Sequence, residues 1–110
     1  MDPKTTQLLR GTLDVLVLRT LAGSELHGYA IAARINERTD GVLGIEDGAL
    51  YQSLHRLEER GFVESAWGHA DNGKRAKFYR MTASGRRQLQ LETASWVRYA
   101  EAVFKVLQPV

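Results

Sequence analysis

The 110-residue chain contains no cysteine. That absence removes a disulfide framework, a thiolate metal site and a cysteine nucleophile together, and nothing in the sequence asks for an oxidising compartment. Long apolar runs are missing as well. The longest, Leu13 to Leu21, is interrupted by Asp14 and Arg19 and falls well short of the roughly 18 residues that a bilayer span requires. The first residues, Met1-Asp2-Pro3-Lys4-Thr5-Thr6, lack the basic and then apolar profile of a secretory signal. A cytoplasmic protein without membrane contact is the expectation.

Signatures of catalysis are equally scarce. No GxSxG or HExxH sequence occurs, no nucleophile or carboxylate pair stands at a working spacing, and His27, His55 and His69 share no metal-ligand spacing. Neither an enzyme nor a cofactor or metal site is expected. The segment Gly68 to Arg75 approaches the phosphate-binding pattern GxxxxGK[ST], but Arg75 stands where a magnesium-binding hydroxyl belongs, and the residues that follow alternate like a strand. Gly41, Gly44 and Gly48 fail the dinucleotide spacing GxGxxG in the same way.

What is present suffices for one folded domain: 44% of the residues are hydrophobic. The formal net charge of +2 says little about partners, because affinity for phosphate depends on where the cations cluster. Here they do cluster. Between Lys74 and Arg87 lie six basic residues, Lys74, Arg75, Lys77, Arg80, Arg86 and Arg87, and no acidic one, whereas Glu58, Glu59 and Glu64 crowd the preceding segment.

Apolar periodicity predicts three helices, a hairpin and a fourth helix. Thr5 or Thr6 can cap a first helix with Leu9, Leu13, Leu16 and Thr20 on one face and Leu8, Val15 and Leu18 off it. That stripe is wide enough to suggest a second covering partner, such as another subunit. After the break at Ala22-Gly23-Ser24, His27-Gly28 opens a second helix carrying Ile31 and Ile35 among Ala30, Ala32 and Ala33, with His27 hydrogen bonding at its start. Thr39-Asp40-Gly41 stops it. A third helix, from about Glu46 to Arg60 and ended by Gly61, turns Leu50, Leu54 and Leu57 inward and leaves Tyr51, Gln52, His55, Arg56 and Glu59 outside. An aromatic, an amide, an imidazole and a guanidinium on one exposed face suit the edges of bases. The period then changes to two, with Val63, Ser65 and Trp67 on one side, and resumes after Asp71-Asn72-Gly73 through Tyr79 and Met81, which reads as a hairpin with a type I′ turn. In the final segment Leu89, Trp96, Ala100, Val103 and Leu107 follow a three-four spacing flanked by Val97 and Phe104. A helix there is roughly 35 Å long, more than a small domain covers alone. The expected fold class is mainly α with a small β-hairpin: a winged helix-turn-helix over residues 1–83 and a long dimerisation helix over 84–110, as one structural unit.

His27-Gly28-Tyr29 opens helix two, Gly48-Ala49-Leu50-Tyr51 with Leu54 and Leu57 forms helix three, and Asn72-Gly73 precedes Lys77-Phe78-Tyr79-Arg80-Met81-Thr82 and Gly85-Arg86. Together with the order of elements, these short motifs resemble the PadR family of transcriptional regulators. The likeness runs from about Leu8 to Gly85, and the single C-terminal helix is similar to the smaller PadR subfamily. It implies a cytoplasmic bacterial homodimer, usually a repressor, that contacts double-stranded DNA through Tyr51 and the Lys74 to Lys77 wing. It also implies an apolar seam between C-terminal helices, in which some members bind flat aromatic compounds, so Trp96 and Phe104 are candidates for holding such an effector as well as for packing. The chain departs from the family pattern at Gln52, where proline is usual after the tyrosine, and at Glu46 and Asp47, where Ser or Thr with Pro opens the helix. The acidic pair suits a helix N-terminus but repels phosphate.

The expected DNA-binding set is therefore Tyr51, Gln52, His55, Arg56, Asn72, Lys74, Arg75 and Lys77, with Arg86 and Arg87 less central. The expected dimer or effector set is Leu89, Trp96, Val97, Ala100, Val103, Phe104 and Leu107. A winged helix reused as a protein-interaction module is the alternative, although it gives no reason for the concentration of cations in the wing.

Overall fold

A computed structural model describes residues 12–109. Its elements run α1 (Leu13–Leu21), β1 (Leu26–His27), α2 (Gly28–Arg38), α3 (Asp47–Glu59), β2 (Val63–His69), β3 (Arg75–Met81) and α4 (Ala83–Leu107). The strands form one antiparallel sheet in the order β1-β3-β2. Three helices, a hairpin wing and a long fourth helix make the winged-helix architecture. The expected caps at Thr5 or Thr6, and Leu8 and Leu9, lie outside the described residues.

The core follows from the helical stripes. Leu50, Leu54 and Leu57 on α3 are buried to within 2% of completeness and meet Val17 and Leu18 of α1 and Ile31 of α2, each fully buried. At about 2 kcal/mol for each large aliphatic side chain withdrawn from water, this cluster is the main force assembling the helices. Leu13, Val15, Val17, Leu18 and Leu21 of α1 are all buried, and α1 touches α2, α3, β3 and α4. The width of its apolar stripe is thus explained within the described part of one chain, by four neighbours, and the second subunit inferred to cover it is not required there. Leu89 also joins this core, at 7% exposure, because the first turns of α4 cross α1. Its expected place on a dimer seam is corrected accordingly.

Glycine is a steric necessity where α4 meets the wing. Thr82 caps α4 by accepting a hydrogen bond from the Gly85 N–H, donates its hydroxyl to the Gly61 carbonyl and its N–H to the Phe62 carbonyl. A Cβ on Gly85 would be driven into the Phe62 carbonyl group. The hairpin and the start of α4 are therefore fixed to one another through backbone.

Two features of the sheet differ from expectation. β1 is only two residues long, too short for any alternation to show, yet Leu26 and His27 pair with Tyr79 and Phe78. The turn is not type I′, which needs positive φ at two successive residues. Only Gly73 has it, at +81°. Gly73 N–H donates to Ala70 O, Ala70 N–H donates to Lys74 O, and the Asn72 side chain accepts from Lys74 N–H. This is a three-residue loop closed by a glycine bulge, and the extra residue sets the register that pairs His69 with Arg75.

Candidate nucleic-acid interface

α3, the N-terminus of α2 and the inner face of the wing enclose one open depression lined by Tyr29, Arg34, Tyr51, Trp67, Lys74 and Arg75 among others. A second, shallower one runs along α3 past Gly48, Tyr51, Gln52, His55 and Arg56. Together they form a concave surface with an exposed helix along its floor and a hairpin for a rim.

The position of Tyr51 explains the His27-Gly28-Tyr29 sequence in physical terms. His27 precedes α2 and its Nδ1 accepts the Ala30 N–H at 3.2 Å, capping the helix; its ring meets Phe78 of β3 edge-on at 5.3 Å. Gly28 is buried, and a Cβ there would come within 2.7 Å of the Tyr51 hydroxyl oxygen. The missing side chain is the seat in which the Tyr51 ring rests, so α2 fixes the aromatic side chain that α3 displays. Tyr29, 76% exposed, projects beside it. Beneath, Tyr79 is buried, and its pKa is raised first by that burial and then by the neighbouring Glu58 carboxylate, so the phenol stays neutral.

The polar residues of α3 do not stand equally free. Arg56 donates to both carboxylate oxygens of Asp14 on α1, at 2.7 and 3.2 Å, and the fully buried Ser53 hydroxyl donates to the same carboxylate at 2.6 Å. The hydrogen bond to Asp14 raises the Arg56 pKa above its ordinary value, with the charge of Asp14 adding to it and burial opposing it. The guanidinium is held by two bonds to α1 while its side chain stays partly exposed along the groove past α3. His55 lies 3.1 Å from Glu59. Gln52 is exposed and makes no hydrogen bond among the described residues.

On the wing, cross-strand partners share a face, so Val63, Ser65, Trp67 and His69 align with Met81, Tyr79, Lys77 and Arg75. The face that buries Val63 and Tyr79 at its base presents Trp67, Lys77 and Arg75 toward the tip. The Arg75 guanidinium carbon sits 4.4 Å from the Trp67 ring centroid and the Lys77 ammonium 6.0 Å from it, so one indole, itself 60% exposed, seats two cations. Lys74, Arg75 and Lys77 form no ion pair among the described residues, whereas Arg80 near the wing's base is bound by Glu64. Arg86 and Arg87 are exposed on the first turns of α4.

A chain with this helix order, wing and displayed tyrosine matches the family model described as the transcriptional regulator PadR-like family, over residues 17–91. The chain belongs to the PadR-like family of transcriptional regulators. Its backbone is similar to that of a transcriptional regulator from Clostridium thermocellum, with a TM-score of 0.84 and 26% identity over 93% of this chain and 99% of that one. It is also similar to a PadR family regulator from Eggerthella lenta, with a TM-score of 0.79 and 33% identity over 96% and 89% of the two chains. An uncharacterized protein X of Lysinibacillus sphaericus shares 30% identity over 98 residues, 89% of this chain and 90% of that protein. DNA-binding transcription regulation through a winged helix is the function class of the family.

Of the residues singled out from the sequence of this PadR-like protein, the structure gathers Tyr51, Asn72, Lys74, Arg75 and Lys77 around one depression and leaves Gln52, His55 and Arg56 along the neighbouring one. Sequence reasoning assigned no role to Tyr29, Arg34 or Trp67, which line the same surface. For Trp67 a signal existed: alternation had placed it on one strand face, and the register through the bulge then sets Lys77 and Arg75 beside it. The C-terminal residues behave differently. Trp96, Val97, Phe104 and Leu107 are exposed, Ala100 and Val103 half-buried, and Leu91, Tyr99 and Val106 add to the apolar surface of α4. Trp96 meets Tyr99 edge-on at 6.2 Å. No described helix is long and apolar enough to cross a membrane, and no described group of His, Asp and Glu could hold a metal.

Proposed function

We propose that this chain is a cytoplasmic transcriptional repressor that binds an inverted-repeat operator as a homodimer. Each α3 enters a major groove and each wing tip lies against the adjoining backbone, with the two copies about 34 Å, or one helical turn, apart. The observation that carries this reading is the pairing of an exposed polar helix face with a wing tip whose cations have no carboxylate partner among the described residues. Unpaired cations on a hairpin beside such a helix are suited to phosphate contact. Tyr51, Gln52 and His55 meet base edges or the adjacent backbone, and Asn72, Lys74, Arg75 and Lys77 position the wing.

The self-association belongs to the exposed apolar side of α4, where Trp96, Val97, Ala100, Val103, Phe104 and Leu107 stand at helical spacing over a 25-residue helix. Two such helices side by side cover surface that one domain leaves in water. The edge-on pair of Trp96 and Tyr99 in this region supports a site for a flat aromatic effector between subunits.

Anisotropy titrations with the chain's own upstream DNA and a scrambled duplex of equal length, at near-physiological salt, test the reading. A preference of about a thousandfold for the native sequence, at two protomers per site, is expected. Equal and weak binding to both sequences refutes sequence-specific regulation. No binding to either favours a protein-interaction module.

A further inference from the structure

The outer face of α3 contains four polar or aromatic side chains that could meet a base, and three of them already have partners within the protein. Arg56 is held at both carboxylate oxygens of Asp14, and Asp14 is held in turn by Ser53. His55 is engaged by Glu59 one turn along the helix. Tyr51 is seated against Gly28, which fixes its ring between α2 and the wing. Gln52 remains, exposed and without a hydrogen bond among the described residues. One turn before it stands Gly48, which carries no side chain, and the two line the same shallow depression. Asp47 occupies the first turn of the helix, which makes this end repellent to phosphate and directs its useful contacts toward bases.

A carboxamide has one acceptor and two donors in a plane. In the major groove, adenine alone offers the complementary pair on one edge, an N7 acceptor beside an N6 amino donor, and glutamine meets both at once. Guanine presents two acceptors there, which call for a guanidinium, and the one guanidinium on this face is bound to Asp14. We propose that Gln52 is the specificity-determining residue of α3 and reads one adenine in each half-site. The proposal rests on α3 being the major-groove helix. Arg56, tied to Asp14, then braces the helix against α1, and discrimination falls on the neutral side chain one turn before it.

The test is selection of bound duplexes from a randomised pool by the full chain and by Gln52→Ala and Gln52→Glu, with melting temperatures measured in parallel. Because Gln52 is exposed, all three proteins are expected to melt together. The wild type should select one adenine position per half-site. Gln52→Ala should weaken preference at that position alone, by roughly tenfold to a hundredfold, and Gln52→Glu should move it toward cytosine, whose amino group a carboxylate accepts. Base preferences unchanged in Gln52→Ala, with the wild type still selective, overturn this proposal while leaving the major-groove reading intact. A wild type that selects no sequence overturns that reading, and the proposal with it.

Discussion

The recognition helix and the wing form one concave surface, but they handle charge in opposite ways. On α3 the one arginine is met by Asp14 and His55 lies 3.1 Å from Glu59, with Asp47 adding a negative charge at the helix start. At the wing tip Lys74, Arg75 and Lys77 have no carboxylate partner among the described residues, and Trp67 holds two of them in place without neutralising either. The difference separates two tasks. Attraction to phosphate is strong, long in range and indifferent to sequence, so it belongs where cations are free. Base recognition requires fixed geometry, which a helix gains by tying its long charged side chains to its own scaffold.

The largest expected disruption of this division strikes the joint between wing and body. Gly85→Ala drives a methyl group into the Phe62 carbonyl, backbone against backbone. It should cost about 3 kcal/mol of stability. A fall in melting temperature of roughly 10–20 °C by calorimetry is the corresponding readout. Gly28→Ala acts on the helix alone, since the intruding Cβ meets the Tyr51 ring at 2.7 to 3.0 Å and the ring must move. Specific affinity should fall about tenfold, a loss of about 1.4 kcal/mol, while binding to scrambled DNA stays as it was. Equal losses on both duplexes would show that Tyr51 serves general attachment.

Asp14→Asn sharpens the comparison by releasing Arg56. The neutral amide still accepts from Ser53, so the stability cost should stay near 1 kcal/mol, as for a partly exposed ion pair. The freed guanidinium should steepen the salt dependence of DNA binding by about one phosphate contact and reduce the preference for the specific site. Lys74→Ala is the mirror case. It should weaken binding roughly threefold on every sequence and flatten the salt dependence by about one. A loss confined to one operator would move Lys74 from attachment to readout.

How far the sequence could be read depended on whether a residue's role was local. Leu50, Leu54 and Leu57 declared the inward side of α3 by spacing, and the structure buries all three. The two-residue β1 gave no periodic signal at all, and its pairing with Tyr79 and Phe78 exists because β3 passes beside it. Asn72-Gly73 announced a turn correctly and its type incorrectly, because one hydrogen bond from Lys74 N–H to the Asn72 side chain accompanies a bulge with a single positive φ. Leu89 had the spacing of the C-terminal apolar series, yet α1 takes it into the core and leaves most of the residues beyond it exposed.

Determined by the sequence alone were the helical stripes, the alternating wing, the basic run from Lys74 to Arg87 and the motifs of a PadR-like winged helix. These rest on periodicity and composition, which are properties of neighbouring residues. Only the tertiary structure decided which cations are free. Asp14 and Arg56 lie 42 positions apart, and whether they meet depends on how α1 packs across α3. The same packing seats Tyr51 in the space left by Gly28 and brings the wing's Trp67 to the opposite wall. Charge in a chain is counted residue by residue, but it is neutralised by neighbours in space, and those neighbours are set by the burial of leucines elsewhere.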